Sequence, residues 1–167
     1  LSLTSLSKCL LPGLRTGFLC LPPAAAEAVQ RVIRTQIWMP SPLGIELSCQ
    51  LIHSGDAEQI CLAQLQEAQA RQQLAYHQLG SRYQHQLRGL HGWLRLPPDI
   101  SAEHFSQQAE QAGVLISTAS YFSTRGQVSP AAVRLGLMAT ATREELSRAL
   151  SILAQLLADA THEAGSQ

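Results

Sequence analysis

The stretch 4–17 constrains this sequence more than any other part of it. It contains Lys8, the only lysine in a chain that has eleven arginines. The pair Pro12-Gly13 predicts a tight type II turn, because proline presets φ and glycine tolerates positive φ. The flanking apolar runs, 1–6 and 17–21, predict two short buried strands joined through this turn.

A lone lysine among small hydroxyl groups suits an amine that condenses with an aldehyde. Such an amine must be neutral part of the time, which lysine achieves in a suitable environment and arginine does not. Ser5, Ser7 and Arg15 offer the hydroxyl donors and the guanidinium fork that a phosphate group requires. The alternative is a surface lysine that follows a strand, with the serines and the arginine nearby by chance.

The pattern Ser-x-Ser-Lys-x-x-x-Pro-Gly-x-Arg-x-Gly resembles the cofactor-lysine segment of fold-type I pyridoxal-phosphate (PLP) enzymes, the class I/II aminotransferase family. The resemblance implies that Lys8 is the catalytic lysine and holds PLP as an imine. It also implies that Ser5 and Arg15 bind the cofactor phosphate, with Ser7 as a weaker candidate. Because the family's lysine lies well past the middle of the protein, we expect this chain to be a C-terminal fragment.

Helical periodicity and helix-terminating residues predict helices at 24–37, 43–53 and 56–82. We expect the glutamine-rich segment 64–86 to form a solvated helix face. The predicted fold class is α+β. The resemblance makes it the C-terminal small domain of a fold-type I PLP-dependent transferase, helices packed on a small sheet, preceded by the lysine-bearing strand segment and linking helices of the large domain. The expected organisation is a large-domain remnant at 1–55, a linking helix at 56–86, a small α+β domain at 87–161 and a frayed tail at 162–167.

The second half of the sequence alternates strand and helix signals. Apolar alternation predicts a strand ending at Leu96, and apolar runs predict strands at 114–117 and 131–138. Ser101 is placed to cap a helix that closes at Gly113. Thr142 is placed to cap a final helix, which we expect to fray from residue 161.

Arg134 lies in the middle of the apolar strand 131–138, where a charge is costly unless an anion meets it. The resemblance implies that Arg134 binds the substrate α-carboxylate as a two-point fork. Alternatively, its stem packs while the guanidinium snorkels or pairs with a glutamate. The candidate glutamates are Glu110, Glu144 and Glu145, and the weaker candidates for the carboxylate are Arg95 and Arg125.

Charge and composition argue against several other classes. Formal net charge is zero and no basic run occurs, so nothing predicts that this portion contacts nucleic acid. No apolar run approaches the length of a membrane span. The four cysteines are spaced too irregularly for zinc, and we interpret them as reduced, small apolar fillers. The six histidines are equally scattered, so we expect no metal site.

The segments around Trp93 and Arg134 resemble the aminotransferase-like domain of MocR/GntR-type transcription regulators, which join an N-terminal winged helix-turn-helix to a PLP-binding domain. The resemblance implies a cytoplasmic homodimer that senses an amino acid, an amine or PLP. The resemblance also implies that this homodimer contacts DNA through a winged helix-turn-helix absent from this chain, and that it has no membrane partner. Two alternatives stay open: an active class I/II aminotransferase, and a structural domain that has lost the cofactor. We expect the isolated chain to bind PLP weakly or not at all, because ring-binding groups belong to the absent large domain.

Overall fold

The chain divides into two compact units, Leu1–Leu65 and Gln66–Gln167. A computed structural model describes residues 1–124 and 127–164. In the first unit the elements are β1 (Ser2–Ser5), β2 (Gly17–Cys20), α1 (Pro23–Ile37), α2 (Pro42–Ser54) and the start of α3 (Asp56–Leu79). In the second they are the rest of α3, β3 (Tyr83–Gln84), β4 (His91–Arg95), α4 (Ala102–Gln111), β5 (Ser117–Thr118), β6 (Ala132–Gly136) and α5 (Arg143–Ala164). Within the described residues, none of the helices is both long enough and apolar enough to span a membrane.

Strands β1 and β2 form an antiparallel hairpin in the first unit. Their register runs from Ser2 opposite Cys20 to Ser5 opposite Gly17. Both strands are confirmed, but every residue of the two is exposed, so the predicted burial is wrong for this chain. The physical reason is that a two-stranded hairpin has two open faces unless a further layer covers it.

The Pro12-Gly13 pair starts a short 3-10 helix, Pro12–Leu14, and not the predicted type II turn. The left-handed residue is Arg15, with φ of 48°, while Gly13 is absent from the positive-φ residues of the described chain. The prediction failed because the φ that proline imposes suits a 3-10 helix as well as a type II turn. Leu14 is buried, which anchors this short helix.

Helices α1 and α2 follow the predicted capping signals. Proline occupies the first turn of both, where its missing N–H costs nothing. The Ser41 side chain caps α2 by accepting a hydrogen bond from the backbone N–H of Gly44 at 3.3 Å. Gly55 ends α2 with φ of 82°. Most of the leucines and isoleucines of α2 are exposed, and the buried residue of this helix is Ser48.

The second unit is built on a four-stranded antiparallel sheet of order β3-β4-β6-β5. Leu94 on β4 and Val133 on β6 are fully buried, and they belong to one apolar core together with Phe105 of α4 and Leu150 of α5. Helices therefore cover one face of the sheet. The side chains that alternate with the buried ones, Trp93 and Arg134 among them, belong to the opposite face.

The predicted elements of the second unit occur close to their predicted positions. The strand at 131–138 is confirmed as β6, while the strand predicted at 114–117 occurs later, as β5. Ser101 caps α4 by accepting from the His104 N–H, and Thr142 caps α5 by accepting from the Glu145 N–H. Helix α5 runs to Ala164, beyond the predicted start of fraying, and residues 165–167 lie outside the described chain.

A buried polar group links α3 to the strands β3 and β4. The Tyr83 hydroxyl donates to Gln72 Oε1 at 2.8 Å, and Gln72 Nε2 donates to the carbonyls of Gly89 and His91 at 2.7 and 2.9 Å. The Tyr83 ring lies against Gly92, where a β-carbon would overlap it. Burial raises the pKa of Tyr83, so the hydroxyl keeps its proton and acts as the donor.

Candidate cofactor and ligand sites

The loop between β1 and β2, residues 6–16, carries Ser7, Lys8 and Arg15, and Ser5 precedes it as the last residue of β1. We call this loop the Lys8 loop. The hairpin closes its base, because the Leu6 N–H donates to the Thr16 carbonyl at 3.1 Å and the Ser5 hydroxyl donates to the same oxygen at 3.3 Å. Ser5 therefore lies where the loop begins, and Arg15 lies directly before Thr16, where it ends.

Lys8 lies in a turn held by backbone hydrogen bonds. The N–H groups of Leu10 and Leu11 both donate to the Leu6 carbonyl, at 2.9 and 3.2 Å. Ser7 donates its N–H to Ser5 Oγ at 3.2 Å. The side chains of Lys8 and Arg15 are exposed. Neither has a carboxylate within ion-pair distance among the side chains that the structure describes, those of residues 1–124 and 127–161.

This donor set fits the chemistry of PLP. A phosphate group takes hydroxyl and guanidinium donors, and the hairpin offers Ser5, Ser7 and Arg15 in the same stretch of chain as one primary amine. The two cations have no internal counter-ion in the described chain, so an anion would not have to displace one. The Ser5 hydroxyl would exchange its bond to Thr16 for a bond to phosphate oxygen.

The Lys8 loop rests on two helices of its own unit. From α3, the Cys61 thiol donates to the Cys9 carbonyl at 3.1 Å and Gln64 Nε2 donates to the Leu10 carbonyl at 2.9 Å. From α2, Gly44 approaches Leu14 so closely that a β-carbon would lie 2.6 Å from its carbonyl oxygen. Sequence reasoning missed these residues. It predicted that Gln64 lies on a solvated helix face, and the only sequence signal for this contact was the position of the glutamine on a predicted helix.

Arg134 occupies the centre of β6 in the second unit. Its register partners are Trp93 on β4 and Ser117 on β5. The Arg134 Cζ atom lies 4.4 Å from the centre of the Phe122 ring, which is a cation–π contact. Trp93 supports Phe122 edge-on, with ring centres 5.7 Å apart and planes at 86°. Aromatic groups thus fix the position of this guanidinium.

The alternative ion pairs of Arg134 do not form within the described residues. Instead, Glu145 accepts from the N–H groups of Ala141 and Thr142 at the start of α5. The Nε atom of Arg134 is buried and has no hydrogen-bond partner in the part of the chain that the structure describes. Arg125, a weaker candidate for binding the carboxylate, lies outside the described residues.

A buried arginine that the sequence did not single out connects α3 to the end of β6. Arg71 is 4% exposed, and its Nη1 atom lies within hydrogen-bond distance of the carbonyls of Leu137 and Thr140. The Glu67 carboxylate accepts hydrogen bonds from Arg71 Nε at 2.6 Å and from Arg143 Nη2 at 2.5 Å. Hydrogen bonds from Arg143 and then from Arg71 lower the pKa of Glu67 to about 2. This group holds the turn that follows the Arg134 strand.

The match to known families decides the class of this chain. The model of the aminotransferase class I and II family matches residues 1–153. The chain belongs to the class I and II aminotransferase family. Its α+β second unit, with helices on one face of a small antiparallel sheet, is the small-domain architecture of fold-type I, as the resemblance implied.

Solved aminotransferases share this fold. The α-aminoadipate aminotransferase LysN of Thermus thermophilus, complexed with N-(5'-phosphopyridoxyl)-L-leucine, is 25% identical, with a TM-score of 0.79 over 94% of this chain and 41% of its own. The kynurenine aminotransferase of Pyrococcus horikoshii is 17% identical, with a TM-score of 0.83 over 94% of this chain and 40% of its own. The second likeness concerns the fold alone.

One relative of this chain is named as a regulator. The uncharacterized HTH-type transcriptional regulator YdeF of Bacillus subtilis (strain 168) is 32% identical over 165 residues, which is 95% of this chain and 35% of that protein. The chain therefore spans about a third of the length of this relative. Its resemblance to the regulator branch, noted on the segments around Trp93 and Arg134, agrees with this match.

Proposed function

We propose that the chain is the effector-sensing, aminotransferase-like domain of a PLP-dependent regulator of the MocR/GntR type. The observation that carries the proposal is the 32% identity over almost the whole chain to an HTH-type transcriptional regulator, found in a chain that belongs to an aminotransferase family. A regulator that contains an aminotransferase-like segment has the architecture that this proposal requires.

PLP is the cofactor in this proposal. Ser5, Ser7 and Arg15 hold its phosphate, and Lys8 holds its aldehyde carbon through the side-chain amine. The support is their common place on the β1–β2 hairpin and the lack of carboxylate partners for both cations in the described chain. When bound, PLP supplies an electron sink to an amine attached to it. The residues of this chain supply the nucleophilic amine and the charge that neutralises the phosphate.

Arg134 binds the carboxylate of the effector in this proposal. Its buried Nε atom lacks a partner in the described chain, and leaving such a donor unpaired costs about 1–3 kcal/mol. A ligand carboxylate can accept two parallel hydrogen bonds from a guanidinium, which recovers that cost. The Phe122 ring contacts the guanidinium through a cation–π interaction, which uses none of its N–H donors as a conventional hydrogen bond.

The assembly is part of the same proposal. We propose a cytoplasmic homodimer whose effector is an amino acid, an amine or PLP, and which contacts DNA through an N-terminal winged helix-turn-helix outside this chain. Residues 1–55 then belong to the large PLP-binding domain, 56–86 link it to the small domain, and 87–161 form that domain. The isolated chain binds PLP weakly or not at all, because the groups that bind the pyridine ring lie in the remainder of the large domain.

A second candidate function is supported by the likeness to LysN, which is named as an α-aminoadipate aminotransferase. In that case the protein moves an amino group between an amino acid and an oxo acid, with the same Lys8 and Arg134. The two functions differ in outcome. An enzyme accumulates oxo acid over many turnovers, whereas a regulator changes its DNA affinity on binding the effector and accumulates little or none.

The intact protein with PLP tests the cofactor assignment. We expect a visible absorption band from bound PLP, and borohydride treatment should leave a PLP-sized mass on the peptide that contains Lys8. Lys8→Ala should lose both signals. Ser2→Ala, on the exposed strand of the same hairpin, is the matched control and should keep both. An unchanged band in the Lys8→Ala variant would show that Lys8 is not the cofactor lysine.

A titration with amino acids and operator DNA tests the regulatory assignment. We expect a subset of amino acids to change the DNA affinity of the intact protein, and Arg134→Lys to weaken that response because lysine cannot form the two-point fork. Catalytic accumulation of oxo acid without any change in DNA affinity would favour the enzyme instead.

A further inference from the structure

Two cysteines meet where the Lys8 loop contacts α3. Cys9 directly follows Lys8 in the chain, and Cys61 lies on α3. The Cys61 thiol donates to the Cys9 carbonyl at 3.1 Å, and the Cys9 thiol donates to the Ser5 carbonyl at 3.4 Å. Both cysteines are free and half-buried. A contact between residues 52 positions apart in the sequence thus brings two thiols to the turn that carries the amine.

The two cysteine side chains are neighbours. The pKa of Cys61 is raised, first by burial and then by the nearby Cys9. A disulfide requires Cβ atoms about 3.5–4.5 Å apart. The Cys61 Sγ atom lies 3.1 Å from the carbonyl oxygen of Cys9 itself, so rotation of the two side chains can bring the sulfurs together. Cys20 and Cys49 are exposed instead, and they provide internal controls.

We propose that Cys9 and Cys61 form a reversible disulfide, made by exchange with a low-molecular-weight disulfide, that ties the Lys8 loop covalently to α3. One cysteine thiolate attacks a sulfur of the small disulfide and releases one small thiolate. The thiolate of the other cysteine attacks the mixed disulfide and releases the second. Two electrons pass from the protein sulfurs to the small molecule, whose two thiolates take up the two protons that the cysteines lose.

Oxidation removes the two hydrogen bonds that the thiols donate. Once the S–S bond forms, neither sulfur carries a hydrogen, so the carbonyls of Cys9 and Ser5 lose these donors. Both carbonyls lie within three residues of Lys8. The turn therefore rearranges while its end is fixed to α3. If Lys8 holds PLP, which rests on the proposed function, the oxidised protein should load PLP more slowly than the reduced one.

Peptide mapping of the intact protein tests the disulfide without reference to PLP. Trypsin should release Cys9 in peptide 9–15 and Cys61 in peptide 35–71, which also contains Cys49. A Cys49→Ser background removes that ambiguity. After treatment with oxidised glutathione and digestion without reductant, we expect the two peptides joined, with a mass two hydrogen atoms below their sum. Dithiothreitol should separate them.

Further variants decide the outcome. Cys61→Ser should abolish the joined peptides, while Cys20→Ser should leave them unchanged. Recovery of only glutathione adducts, of unreacted thiols, or of links through Cys20 would overturn the proposal. PLP loading is then measured by borohydride trapping in reduced and oxidised protein. A joined pair with equal loading confirms the disulfide and rejects its effect on Lys8, whereas absent PLP in both forms rejects the proposed cofactor and leaves the disulfide result intact.

Discussion

Arg71 donates a hydrogen bond from Nη1 to the carbonyl oxygen of Leu137 at 2.8 Å, which joins a buried charge on α3 to the end of the strand that carries Arg134. The same guanidinium contacts Thr140 and Glu67. Arg71 is 4% exposed, so water has little access to its guanidinium and does not readily replace it in these hydrogen bonds. The turn after β6 is therefore held by one side chain from a distant part of the sequence.

Replacement of Arg71 by methionine should destabilise the protein strongly. The change keeps most of the volume but leaves the Leu137 and Thr140 carbonyls without this donor, for which we expect a loss of about 3 kcal/mol in the free energy of unfolding. Urea unfolding measures it. Arg31→Met is the control, because the Arg31–Glu27 pair is exposed and should contribute less than about 1 kcal/mol. Equal effects of the two changes would contradict this role of Arg71.

Acid should remove the contribution of Glu67. Its folded-state pKa, about 2, lies below its ordinary value of 4.5, so the carboxylate stabilises the fold above pH 4.5 and this stabilisation is lost as the pH falls from 4.5 through 2. Glu67→Gln should cost on the order of 2 kcal/mol at pH 7 and little near pH 2. Urea unfolding of both proteins across this range measures the difference. A difference that does not change with pH would show that the charge is irrelevant.

Substitution of Gly44 by alanine should disturb the Lys8 loop. The added β-carbon would lie 2.6 Å from the Leu14 carbonyl oxygen, so backbone must move. We expect a loss of about 1–3 kcal/mol in stability and weaker PLP binding, because Arg15 follows Leu14. Gly13→Ala is the control, since nothing lies within 4 Å of its added carbon. Thermal unfolding and PLP titration measure the effects, and similar behaviour of both variants would refute the close approach as their cause.

Replacement of Phe122 by leucine should weaken effector binding at Arg134. The change removes a cation–π contact worth about 0.5–1 kcal/mol, which corresponds to about a two- to fivefold loss of affinity for a carboxylate ligand. Tyr121→Leu is the matched control, because Tyr121 is 84% exposed and its ring contact is with Phe122. Spectral titration of the PLP-loaded protein measures the affinities. An unchanged affinity for Phe122→Leu would mean that the ring does not position Arg134.

Features encoded in short stretches could be predicted from the sequence, and contacts between distant stretches could not. Ser101 and Thr142 cap helices as their residue type and position predict, because a cap depends on the few residues that follow it. The Lys8 motif is also contained in one short stretch of the sequence, so it can be recognised without the fold. From the sequence, Arg71 looks like one more polar residue on a helix, since the carbonyl groups that it binds lie more than sixty positions away.

The misjudged details have the same cause. Pro12-Gly13 fits two kinds of turn, and only its surroundings select the 3-10 helix, in which the buried Leu14 takes part. Gln64 was placed on a solvated face because glutamine is polar, although its amide binds the Leu10 carbonyl. Periodicity predicts which side of an element faces inward, but it does not identify what lies there.

The contact between Tyr83 and Gly92 carries a consequence for sequence divergence. Because the tyrosine ring fills the volume that a β-carbon at position 92 would need, neither site can change freely while the other stays fixed. An alanine at 92 becomes tolerable only alongside a smaller residue at 83, and that exchange would remove one of the two donors to Gln72 Oε1, leaving the Gln86 N–H as the other. Positions 83 and 92, on two neighbouring strands, should therefore vary together or stay the same in related proteins.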